Sequence, residues 1–79
     1  MRLDKYLKVS RLIKRRTVAN EACDAGRVFV NGKQAKASAE VKAGDTITIS
    51  FGNREVKVEV VSVQETVRKE EAREMFRYL

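Results

Sequence analysis

Hydrophobic positions along the chain change their spacing several times, and each change marks an element. Leu3, Tyr6 and Leu7 recur at helical spacing around Asp4, whose carboxylate suits an N-cap or first turn, so a short helix is predicted over residues 4–9, closed by Ser10. Val18, Ala19, Ala22 and Cys23 fall on one helical face of residues 17–25. Thr17 can cap that helix, and Gly26 supplies the left-handed residue after its end. Between the two helices, Leu12 and Ile13 can anchor a turn inward while Arg11, Lys14, Arg15 and Arg16 face water, which makes a charged elbow.

From Arg27 the period becomes two. Asn31-Gly32, the dipeptide best able to take positive φ at both centres of a tight turn, lies between Val28-Val30 and Ala35, so residues 27–36 form a hairpin. Ala43-Gly44-Asp45 turns the chain into a strand at 46–51, with Ile47, Ile49 and Phe51 on the buried face. Gly52-Asn53 reverses it into a strand over 55–63, whose phase slips at Val60-Val61, either a bulge or a strand end. Ala72, Met75, Phe76 and Leu79 follow i, i+3, i+4, i+7 and predict an amphipathic helix over 66–79. The fold class is α+β: two N-terminal helices packed on a small antiparallel sheet, with a C-terminal helix closing it. At 79 residues the chain is expected to be one domain.

Composition removes most chemistry from consideration. With no His, one Cys and no Gly-rich phosphate loop, no catalytic site, metal site or cofactor site is expected, and Cys23 reads as a buried, reduced core residue. Asp4, Asp24 and Asp45 read as structural, at a cap, a helix end and a turn. No apolar run reaches the ~20 residues of a membrane span and no secretory signal opens the chain, so a cytoplasmic protein is expected.

Charge adds the decisive asymmetry. Seventeen Lys and Arg against eleven Asp and Glu leave a net charge of +6. Residues 1–36 hold ten cations and three anions, whereas residues 37–79 hold seven and eight. Arg2, Lys5, Lys8, Arg11, Lys14, Arg15 and Arg16 sit within the first sixteen positions beside one acid, Asp4. A cluster of this kind suits an anionic partner. Arg15 and Arg16 also precede a helix N-terminus, where backbone N–H groups favour phosphate. Arg27, Lys33 and Lys36 put charge on the hairpin, as a second wall for a bound backbone or as mere solvation of a turn. The bland alternative for Arg15 and Arg16 is pairing with Glu21, Asp24 or the C-terminal acids. Phe29 and Tyr78 are out of core phase and open to base stacking, but so few aromatics favour recognition of backbone and shape.

Arg2-Leu3-Asp4-Lys5-Tyr6-Leu7, then Arg16-Thr17-x-Ala19, then Gly26-Arg27-Val28-x-Val30-Asn31-Gly32-Lys33, then Val41-Lys42-x-Gly44-Asp45-x-Ile47, together resemble the RNA-binding domain named for ribosomal protein S4, the alpha-L motif. The resemblance spans about residues 2–49, leaving 50–79 as an added hairpin strand and helix. Ala43 stands where that family often has Pro. The resemblance implies structured RNA as ligand and Arg2, Lys5, Lys8, Arg11, Lys14, Arg15 and Arg16 as its contacts; the charge on the hairpin adds Arg27 and Lys33 as candidate contacts. The stretch from Leu7 to Thr17 is most similar to free-standing members that serve bacterial ribosome-associated quality control. That similarity implies large-subunit ribosomal RNA and peptidyl-tRNA as partners, with a factor that tails stalled nascent chains as a further partner; a monomer is expected, since nothing in the sequence demands a dimer. Two alternatives stay open: a protein-interaction module docking through the Met75/Phe76/Leu79 face, and a general structured-RNA binder in ribosome assembly.

Overall fold

The structure, a computed structural model, describes residues 1–65 and 67–79. Helix α1 spans Leu3–Val9 and α2 spans Arg16–Asp24. The strands are β1 (Val28–Val30), β2 (Lys33–Gln34), β3 (Thr46–Phe51), β4 (Arg54–Val60) and β5 (Phe76–Tyr78), and a 3-10 helix covers Lys69–Met75. All strand pairs are antiparallel, in the order β2-β1-β3-β4-β5.

The period-two pattern places one face of this sheet under the helices. Val30 pairs with Ile47 and Ile47 with Val58, while Val28 pairs with Ile49 and Ile49 with Val56. Because alternate side chains share a face, these rows point together at Leu3, Tyr6 and Leu7 of α1, Ile13 of the elbow, and Ala19 and Cys23 of α2. Val18, expected in this core, is 46% exposed, since the stripe of α2 centres on Ala19 and Cys23 and leaves Val18 on the flank. Phe51 is also exposed, because it pairs with Arg54 beside the reversing turn at the end of the strand.

Local chemistry sets the helix ends. The N–H groups of Leu3 and Asp4 donate to the carbonyls of Ala39 and Ala37, so a strap formed by 37–41 satisfies the first turn of α1. Helix α2 ends as expected at Gly26, φ +74: the Gly26 N–H donates to the Cys23 carbonyl and the Arg27 N–H to that of Ala22. Its start differs from expectation, with Arg15 at the N-cap and Thr17 inside the first turn, and no side-chain cap bond is made.

The hairpin turn is held more firmly than its dipeptide alone would require. Asn31, at φ 54, accepts from the Thr46 N–H through its side-chain oxygen and donates its amide to Asp45, which also accepts from the Lys42 N–H. One buried carboxylate thereby ties the β1–β2 turn to the turn before β3.

The C-terminal segment departs from the expected helix. Residue 66, its proposed start, lies outside the described residues. Ala72 and Met75 are buried as the spacing requires, but on a 3-10 helix, in which i and i+3 share a face. Phe76–Tyr78 then leave the helix and pair with β4, and Leu79 is 63% exposed. The reason is that β4 otherwise presents a row of unpaired backbone groups at the sheet edge, and three residues of strand satisfy them. Strand β4 itself ends at Val60; the N–H groups of Val61 and Ser62 both donate to the Met75 carbonyl, the two-against-one pattern of a bulge.

Candidate nucleic-acid interface

Lys5, Lys8 and Arg11 follow one another at intervals of three, so they share a side of α1 and its C-terminal turn. Arg11 then adopts φ 65, and the chain doubles back through Leu12 and the buried Ile13, which brings Lys14 and Arg16 to the same side. The result is a cleft of about 380 Å³ lined by Lys5, Lys8, Arg11, Lys14 and Arg16, with Val9, Glu65 and Val67 completing the wall. Five of the nine sequence-predicted residues are gathered there. Among the described residues, Lys8, Arg11 and Lys14 make no ion pair.

Among the described residues, Glu65 is the one carboxylate lining this cleft, and it is paired with Lys5. The hydrogen bond from Lys5 and its charge hold Glu65 below the usual carboxylate pKa, so it remains an anion in a basic cleft at neutral pH.

Arg2 and Arg16 converge on a different acid. Asp4 is 1% exposed and accepts from Arg2 Nε (3.2 Å), Arg16 Nε (3.3 Å), Asn20 Nδ2 (2.9 Å) and the Lys5 N–H (2.8 Å). Burial raises the Asp4 pKa, but the donors from Arg16, Arg2 and Lys5 outweigh it and the net displacement is downward. The pairing of Arg16 is therefore with Asp4, not with Glu21, Asp24 or a C-terminal acid. The Arg16 side chain stays 46% exposed, so it orders the helix junction and still faces the cleft.

The remaining predicted residues sit apart from the cleft. Arg2, 52% exposed, lines a neighbouring cleft of about 520 Å³ with Asn20, Gln34, Lys36 and Ser38. Arg15 is exposed at the uncapped start of α2. Arg27 lies in a third, more apolar groove between α2 and β3, with Val18 and Phe51. Lys33 is exposed on β2, the sheet edge opposite the C-terminal segment. Lys69 and Arg73 carry no signal in the sequence, where the mixed charges of 68–71 look like ordinary solvation. In the folded chain their 3-10 helix lines a cleft together with Ser10 and Arg11.

Cys23 is 5% exposed, and burial, with the negative charges of Asp4 and Asp24, pushes its thiol pKa up to about 11. It is a thiol at neutral pH, unsuited to nucleophilic attack. Among the described residues no group of three or more His, Cys, Asp or Glu is placed to hold a metal ion, and no helix is long and apolar enough to cross a membrane.

A cationic cleft on two short helices over an antiparallel sheet defines the RNA-binding alpha-L class, and comparison with known proteins agrees. Residues 1–47 match the S4 domain, and the chain belongs to that family and, within it, to the RQC P-site tRNA stabilizing factors. It is 57% identical over 79 residues to the factor of that name from Bacillus subtilis, covering 100% of this chain and 92% of the relative. It is 60% identical over 76 residues to the one from Halalkalibacterium halodurans, covering 96% and 86%. Among solved structures it resembles trimeric Vibrio cholerae heat shock protein 15, with a TM-score of 0.91 and 32% identity over 100% of this chain and 81% of that one. The solution structure of HP1423 gives 0.85 and 34%, over 100% and 96%.

Proposed function

We propose that this chain is a non-enzymatic, cytoplasmic RNA-binding protein of ribosome-associated quality control. It binds large-subunit ribosomal RNA and peptidyl-tRNA on obstructed large subunits, as a monomer, and so supports C-terminal tailing of the stalled chain by a partner factor. Residues 1–79 act as one RNA-binding domain with its motif core in 2–49. The observation that carries this reading is the convergence of Lys5, Lys8, Arg11, Lys14 and Arg16 on one cleft. Such a surface holds phosphates by charge, and a rigid scaffold then selects RNA by shape. Arg2, Arg15, Arg27 and Lys33, which lie apart from this cleft, are proposed as further RNA contacts. The names of the relatives support the quality-control setting and the tRNA ligand.

The rival reading, a protein-docking face on a C-terminal helix, has less support, because Met75 is fully buried and its carbonyl accepts from the Tyr6 hydroxyl. Sedimentation through a sucrose gradient tests the choice. Lys8→Ala with Lys14→Ala is expected to abolish co-migration with large subunits at a salt concentration where the parent protein still co-migrates, with the melting temperature unchanged. Undiminished co-migration of that double variant contradicts the proposal.

A further inference from the structure

Arg11 belongs to two clefts. Besides the one described above it lines a second, of about 400 Å³, whose other walls are Ser10, Lys69, Glu70, Ala72, Arg73 and Phe76. This second cleft joins the end of α1 to the C-terminal 3-10 helix, outside the region that matches the S4 domain. Its charged rim has three cations, Arg11, Lys69 and Arg73, and one carboxylate, Glu70. Among the described residues none of the three cations forms an ion pair. Unpaired cations grouped around a concave surface raise the local concentration of anions.

Arg11 supplies an independent observation. It holds φ 65, a left-handed conformation that L side chains rarely adopt and that glycine or asparagine takes more readily. Its N–H donates to the Lys8 carbonyl and so closes α1, and nothing in that backbone role calls for a guanidinium. A long cation kept at a strained position between two basic clefts points to work done by its head group.

We infer that the Arg11–Lys69–Arg73 cleft is a second phosphate-binding site, which takes the backbone of an RNA segment continuing past the first cleft, with Arg11 shared between the two. The inference rests on the RNA-binding reading above and extends its interface from the N-terminal helices onto the C-terminal segment. A guanidinium offers donors in more than one direction, so a single Arg11 can contact phosphates on both sides. Glu70 opposes the same phosphates and sets the affinity below what the cations alone would give.

The test titrates fluorescently labelled full-length protein with purified bacterial large ribosomal subunits over a series of salt concentrations. Lys69→Ala with Arg73→Ala is expected to weaken binding at least tenfold and to make the slope of log affinity against log salt shallower by about one to two. Glu70→Gln is expected to tighten binding about threefold, a gain that misfolding cannot produce. Lys8→Ala with Lys14→Ala serves as the comparison for the first cleft. If this pair weakens binding while the Lys69/Arg73 pair and Glu70→Gln change neither affinity nor slope, the second site is overturned and the RNA-binding reading stands. If neither pair matters, both fail. Should the Lys69/Arg73 variant lose its fold, Glu70→Gln decides: tighter binding supports the site and unchanged binding overturns it.

Discussion

Asp4 shows how one side chain serves structure inside a cationic surface. It is the single acid among the first sixteen residues, and it is buried under two guanidiniums, an amide and a backbone N–H. Removing its charge strands those donors, so Asp4→Asn is expected to cost about 2–3 kcal/mol at pH 7. Since its pKa is lower folded than the usual 3.8, its stabilisation is complete above the unfolded pKa and is lost as pH falls through the folded value. Urea titrations should therefore show the gap between parent and Asp4→Asn narrowing below about pH 4; a constant gap would mean that packing, not charge, is what the substitution removes. Arg11 gives the opposite case. Arg11→Gly relieves the left-handed strain, worth about 1 kcal/mol before the greater freedom of glycine in the unfolded chain is subtracted. The melting temperature should rise by about 2–4 °C while affinity for large subunits falls. A variant that gains stability and keeps its affinity would remove Arg11 from the interface.

Between elements, the latch from α1 to the C-terminal segment is the contact to probe. Tyr6, fully buried, donates its hydroxyl to the Met75 carbonyl at 2.7 Å, and the same carbonyl accepts from Val61 and Ser62. Tyr6→Phe leaves that carbonyl still bonded, so it is expected to cost about 1 kcal/mol, against about 3 kcal/mol for the cavity left by Met75→Ala. Denaturation midpoints compare the two; equal losses would make the hydroxyl the dominant tie. The same region marks the boundary of what periodicity reveals. The Leu3/Tyr6/Leu7 spacing, the positive φ open to Asn31-Gly32, Gly26 and the Ile47/Ile49 alternation act through near neighbours in sequence, and the helices, the hairpin and the strand they predict are present. The stripe Ala72, Met75, Phe76, Leu79 is helical in spacing, yet its second half is a strand, because the competing partner is the edge of β4, more than fifteen residues away in sequence. Nothing local records that edge. The cationic cleft divides in the same way: Lys5, Lys8 and Arg11 are legible as one helix side, whereas the approach of Glu65, Lys69 and Arg73 arises only from the returning chain.

At the scale of the whole molecule, a compact body of radius of gyration 11.1 Å carries its excess positive charge on the α1–elbow side, where two clefts meet at Arg11. A ligand recognised in this way releases the counterions condensed on its phosphates, and the number released is read directly from the salt dependence of binding. On the RNA-binding proposal Glu65 competes with phosphate for Lys5 in the first cleft, so Glu65→Gln should strengthen binding without altering the fold, as fluorescence titration and circular dichroism can check; weaker binding would mean that its pairing with Lys5 organises the cleft instead of blocking it. The most direct test of the central claim is the affinity of the unmodified protein for purified large ribosomal subunits between about 50 and 300 mM monovalent salt. With about five cations on phosphate, log affinity should fall against log salt with a slope near −4. A slope indistinguishable from zero would mean that the cationic cleft does not hold RNA.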